Sequence, residues 1–211
     1  MTVKNVVYAA ALVTATAGIT TTVVSQDTKT PPAGQQPQMP PEIQEMWAKC
    51  TEAGTPGENH KLLNPRVGKW NGTTKMWMMP EMPADESTCT AETKWIMDGR
   101  YLQETVEGNF GGETFLGQAI IGYDNVAKKF FSVWIDNMCT GKMDAEGSFN
   151  PTAKTFTYTT DYNCPLTGKN TKGRTTERWV DNDTFVMEMF GPWHKTGKEF
   201  KMMEITFKRV K

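Results

Sequence analysis

From Val67 onward, short stretches of alternating apolar and polar residues follow one another, each closed off by Gly, Pro, Asn or Asp. Apolar residues recurring at every second position write strands, not helices. The clearest unit is Phe115–Thr140, FLGQAIIGYDNVAKKFFSVWIDNMCT. Its two apolar runs, Phe115–Tyr123 and Lys129–Ile135, are joined by Asp124-Asn125-Val126-Ala127-Lys128, the pattern of an antiparallel pair with a short polar loop. Phe115, Ala119, Ile121 and Tyr123 share one face, yet Leu116 and Ile120 make the other partly apolar, which suits a central place in a larger sheet.

The same grammar predicts strands at Gly68–Met79, Thr88–Met97, Arg100–Asn109, Thr114–Tyr123 and Lys129–Asn137. It continues with Lys142–Phe149, Thr155–Asp161, Gly173–Val180, Thr184–Phe190 and Glu199–Arg209. Asp98-Gly99 is a strong two-residue hairpin signal between the second and third. About ten successive strands with short connections predict an all-β protein, an antiparallel up-and-down barrel. A two-sheet sandwich would need longer crossing connections. No internal repeat supports a propeller.

The first 66 residues read differently. Residues 1–25 carry Lys4, then an apolar and small-residue segment ending in Val23-Val24-Ser25, which predicts a cleaved export signal and a periplasmic or extracellular protein. An uncleaved anchor is the alternative, and no later segment is long and apolar enough to span a bilayer. Residues 26–41, rich in Pro, Gln and Thr, predict a disordered linker. Residues 42–66 begin with a short helix, with Ile43, Met46 and Trp47 on one face and an end near Cys50, and continue as loop; the barrel occupies 67–211.

With 23 basic and 24 acidic residues and no basic stripe, nothing favours nucleic acid or an anionic membrane as partner. The chain has no nucleophile elbow, phosphate loop, dinucleotide fingerprint or zinc-spaced Cys/His motif. His60 and His194 are its only two histidines, so acid–base catalysis has little material, and no cofactor is expected. Met76, Met78, Met79 and Met82 raise a soft-metal reading such as copper, but methionine is also the ordinary gap-filler of apolar cores.

Gly68-Lys69-Trp70 opens the first strand and Arg209 closes the last. This resembles the calycin superfamily of lipocalins and fatty-acid-binding proteins, in which such a Trp and Arg pack together at one end of the barrel. Further segments carry a narrower resemblance: Leu63-Asn64-Pro65, Trp95-Ile96-Met97-Asp98-Gly99-Arg100-Tyr101, Gly122-Tyr123-Asp124-Asn125, Val133-Trp134-Ile135-Asp136 and Met203-Glu204-Ile205-Thr206. Over roughly residues 60–209 the chain is similar to a bacterial, often exported family of unknown function with a lipocalin-like barrel. The resemblance implies a fold and no activity.

If Trp70 and Arg209 face inward, period-two counting sends Thr74, Met76, Met203, Ile205 and Phe207 inward too, and Trp134 shares a face with Asp136. We therefore expect Trp70, Met76, Trp134, Asp136, Arg178 and Met203 to line a site for a small, largely apolar ligand, with Trp70 and Arg209 closing the barrel. A protein-binding accessory subunit is the alternative function. An enzyme would have to use Asp136, Arg178 and Glu104. Counting connections puts Cys89, Cys139, Cys164 and His194 at one rim. In an oxidising compartment this predicts disulfides Cys139–Cys164 and Cys50–Cys89, with a soft-metal site at the rim as the competing use.

Overall fold

In the computed structural model, residues 39–211 are described; the expected export signal and nearly all of the Pro- and Gln-rich segment lie outside the described residues. Helix α1, Pro41–Gly54, begins on a proline with Glu42 in its first turn, a favourable N-terminus. It runs past Cys50, where the sequence pattern had suggested an end, and stops before Thr55-Pro56. The expected loop that follows is itself structured. It holds a one-turn helix α2, Glu58–Lys61, and a 3-10 turn, Asn64–Arg66.

Ten strands follow. They are β1 (Gly68–Met76), β2 (Asp85–Ile96), β3 (Tyr101–Phe110), β4 (Glu113–Asp124) and β5 (Lys129–Asp136). Then come β6 (Met143–Asn150), β7 (Thr155–Cys164), β8 (Lys169–Trp179), β9 (Thr184–Pro192) and β10 (Glu199–Arg209). Each pairs antiparallel with its sequence neighbours, and β1 also pairs with β10, so the sheet closes on itself as a calycin-like barrel. Trp70 stands opposite Ala91 on one side and Arg209 on the other. Closure leaves no sheet edge to pair with another chain.

The β2–β3 connection differs from a two-residue hairpin. Met97, Asp98 and Gly99 all have positive φ (49°, 56° and 81°), and the strands resume only at Tyr101. The Asp-Gly signal marked the turn correctly, but the left-handed stretch begins one residue earlier, on a methionine.

The two ends of the barrel are unlike. At the floor the chain enters through α2 and the 3-10 turn, which carry His60, Leu63 and Arg66 into the interior. Leu63, with no exposed surface, packs among Leu102, Ile121, Phe130 and Phe156. Trp70, Val106, Phe185 and Phe207 form a second apolar cluster. The guanidinium of Arg209 lies 4.1 Å from the Trp70 ring centroid and donates to the carbonyls of Val67 and Pro65, both at 2.7 Å. It thereby ties the last strand to the entering segment by stacking and by hydrogen bonds. The opposite rim, the mouth, is made by connections 77–84, 111–112, 137–142, 165–168 and 193–198.

Candidate functional site

Strand alternation points one side chain in two at the barrel axis, and here the inward set does not fill the space. A cavity of about 310 Å³ remains between the floor and the mouth. Its wall is mostly apolar: Met76, Met187, Met189 and Met203 on one side, Phe115, Ile121 and Trp134 on the other. Trp134 lies across Gly117 on the adjacent strand, where any Cβ would run into the indole. Glycine at that position is what allows the ring to lie against the wall.

At the floor the wall turns polar. Arg66 donates from Nη2 to Glu104 Oε2 at 2.7 Å and from Nη1 to Glu177 Oε2, and Thr93 Oγ1 donates to the same Glu104 oxygen at 2.9 Å. Glu104 is on β3 and Glu177 on β8, five places apart in either direction round the ring. The arginine therefore braces opposite walls. Its side chain and both carboxylates are almost wholly buried. Burial opposes the guanidinium charge, but Glu104 and Glu177 outweigh that and hold its pKa above the ordinary value. Two buried polar atoms in this region have no hydrogen-bond partner, Arg66 Nε and the Tyr158 hydroxyl. Burial, then the charge of Glu177, pushes the Tyr158 phenol well above its usual range.

Of the residues expected to form the site, Met76, Trp134, Asp136 and Met203 do wall the cavity. Asp136 acts through its neighbours. It accepts from Trp134 Nε1 at 2.8 Å and from the Met138 amide at 2.9 Å, and so fixes the indole edge at the mouth. Trp70 lies below the cavity in the floor core, edge-on to Phe185 and Trp179. Arg178 must be reassigned, because it is exposed on the outer face while its neighbour Glu177 faces in. The phase of β8 is set by Trp179, which packs on Phe185 and Trp70, so that Thr175 and Glu177 share the inner face.

The expected disulfides are absent: all four cysteines are free. Cys89 faces the barrel interior against Gly72 and Gly108, with Thr74 Oγ1 at 3.7 Å. Cys50 sits on exposed α1, whose end is clasped from outside when Asn125 donates to the Ala53 and Thr55 carbonyls. The barrel wall separates those two thiols. Cys139 and Cys164 do sit at the mouth, but β6 lies between them and each thiol is engaged locally. Cys139 Sγ is 3.8 Å from Asp136 Oδ1. For Cys164, burial raises the pKa, but hydrogen bonds from Thr167 and Leu166 prevail and hold the thiol below its ordinary value. Burial pushes the Cys89 thiol up. Among the described residues no group of three His, Cys, Asp or Glu is placed to hold a metal ion.

Sequence reasoning missed the role of Arg66, although Leu63-Asn64-Pro65 just before it was recognisable. Glu104 stood out in the sequence only as an acid within a strand and a candidate for catalysis, and Glu177 did not stand out at all. Their one local signal is position, two residues after inward Leu102 and two before inward Trp179.

A family model described as "Protein of unknown function (DUF1579)" matches residues 55–209. No curated protein matches the chain. The solved structures that share the barrel include two that are matched over nearly their whole length. One is Rv2717c from M. tuberculosis, with TM-score 0.57 at 12% identity, covering 74% of this chain and all of that one. The other is the S-type phycobiliprotein lyase CPES from Guillardia theta, with TM-score 0.52 at 9% identity, covering 72% of this chain and 93% of that one. At those identities the likeness is one of fold. Among the described residues no helix is long and apolar enough to cross a membrane.

Proposed function

The chain belongs to the DUF1579 family of proteins of unknown function, and from that premise we propose that it is a binding protein, without catalytic activity, whose barrel takes one small, largely apolar molecule into its interior. One observation carries this reading, the 310 Å³ cavity walled by methionine and aromatic side chains and reaching the mouth. A void of that size lies at the lower end of the range for small-molecule sites. Methionine, unbranched and polarisable, adapts its shape to a guest better than leucine or valine. The polar groups favour binding over chemistry. Glu104 and Glu177 are committed to Arg66, and Asp136 to Trp134, with no acid or base left poised over a common point. The small-residue lead segment supports an exported protein as the setting.

The direct test is uptake of a neutral naphthylamine dye whose emission rises in apolar surroundings. Saturable uptake of one dye per chain is expected. Ala145→Trp, which places an indole in the cavity, should abolish it while the far-ultraviolet circular dichroism stays that of a β-barrel. A folded wild-type protein that takes up no dye overturns the reading.

A second reading, an accessory subunit that binds other proteins, draws on α1. Ile43, Met46 and Trp47 lie on one face of that helix and are all exposed. Native mass spectrometry of protein isolated from its own source separates the two. A bound small molecule supports the first, and a stoichiometric protein complex supports the second.

A further inference from the structure

The floor of the cavity constrains what a guest's polar end can be. Four charged side chains wall the cavity, Arg66, Glu104, Asp136 and Glu177, one positive and three negative. An apolar cavity that takes a carboxylate needs a cation free to pair with it, because a buried unpaired charge is costly. Arg66 is not free in that sense, since both of its terminal nitrogens are committed to Glu104 and Glu177. A carboxylate at this floor would face a triad that already carries net negative charge.

The two buried polar atoms without partners point to what the floor does accept. Arg66 Nε–H is a donor only. The Tyr158 hydroxyl, kept protonated by burial, is able to donate as well. Native proteins satisfy nearly all such groups, and each one left unpaired weakens the folded state. Both residues wall the cavity. An ammonium group has no lone pair to offer Nε–H, and although the acids attract it, it would have to leave water for carboxylates already held by Arg66 and Trp134.

Resting on the binding function proposed above, we infer that the cavity selects an uncharged amphiphile, a long apolar chain ending in a hydroxyl or carbonyl oxygen, and discriminates against both carboxylates and amines. The oxygen seats at the floor and accepts from Arg66 Nε–H and Tyr158. The chain runs up between the methionines and Trp134 toward the mouth. Hydroxyls of Thr160 and Thr175, which also wall the cavity, provide further neutral polar contacts.

Isothermal titration of the full chain at pH 7.5 with three ligands of matched length, decan-1-ol, decanoate and decylamine, tests this. Decanol should bind one per chain and on the order of tenfold more tightly than either ion. Tyr158→Phe, which removes an unpartnered hydroxyl and keeps the ring, should leave the thermal midpoint intact or raised. The same variant should weaken decanol by about fivefold, the worth of one hydrogen bond. An ion that binds as tightly as decanol overturns the inference, and so does a Tyr158→Phe variant with unchanged decanol affinity. If the dye enters but none of the three ligands binds, the head-group assignment is wrong while the binding function stands. If the dye fails to enter as well, the binding function itself is lost.

Discussion

Single side chains at the floor hold the barrel shut. Trp70 is 1% exposed, donates from Nε1 to the Arg66 carbonyl at 2.9 Å, and has the Arg209 guanidinium over its ring. Trp70→Ala should destabilise by about 3–5 kcal/mol through the cavity it leaves. Arg209→Ala also removes the bonds to Val67 and Pro65 and the 3.1 Å contact with Asp183. A double-mutant cycle in denaturant should show a coupling of about 0.5–3 kcal/mol between the two, and strict additivity would show that the stacking is not felt. His60 brings pH dependence to the same end. Its burial, then the charge of Arg100, lowers its pKa below 6.5, and its Nδ1 accepts from the Gly57 amide at 3.1 Å. The unfolded chain therefore binds the proton more readily. Stability from this group is complete above the unfolded value and is lost as pH falls from 6.5 toward the lower folded value. The thermal midpoint should drop between about pH 7 and pH 5, and His60→Asn should flatten that slope while lowering stability at neutral pH.

Among the elements, the β2–β3 connection stands out for carrying strain. Met97 and Asp98 are held in the left-handed region, and Met97 is 66% exposed, so it buries little in return. A left-handed conformation costs a residue with a Cβ roughly 1–2 kcal/mol relative to glycine, part of which glycine loses again through its greater freedom in the unfolded chain. Met97→Gly should therefore stabilise by about 0.5–1 kcal/mol, read as a higher denaturant midpoint at unchanged slope. A lowered midpoint would mean that the side chain has a packing role. The alternation that identified the strands worked where a strand is amphipathic within itself. It failed on β8, where Gly173-Arg174-Thr175-Thr176-Glu177-Arg178 is polar on both faces and hydropathy has no phase to report.

Taken as a whole, the molecule is stapled without disulfides. A closed ring, two apolar clusters and the Arg66 brace bind its walls, while the four thiols lie in four separate settings. Thiol titration of the denatured protein without reductant should find all four cysteines free, and adding reductant should leave the thermal midpoint unchanged. A Cys139–Cys164 cross-link in the purified protein would show that the mouth loops close further than the structure has them. Because β1 completes the ring only with β10, closure must wait for the two ends of the barrel to meet, which favours slow folding on the ms–s scale typical of β-barrels.

By itself the sequence determined the class of the fold, the number and order of the strands, and the inward phase of those anchored by Trp70, Trp134 and Arg209. These are local properties: alternation within a strand and turn chemistry between strands are written in neighbouring residues. Only the tertiary structure decided what stands at the floor of the cavity. Arg66 meets Glu104 across 38 residues and Glu177 across 111, and no local pattern names a partner at such a distance. The same holds for Arg178, turned outward by the packing of Trp179, and for Cys89, placed inside the wall while Cys50 stays outside it. Side-chain pairing of this kind follows from closure of the ring, which brings β3 and β8 face to face only once every strand is in place.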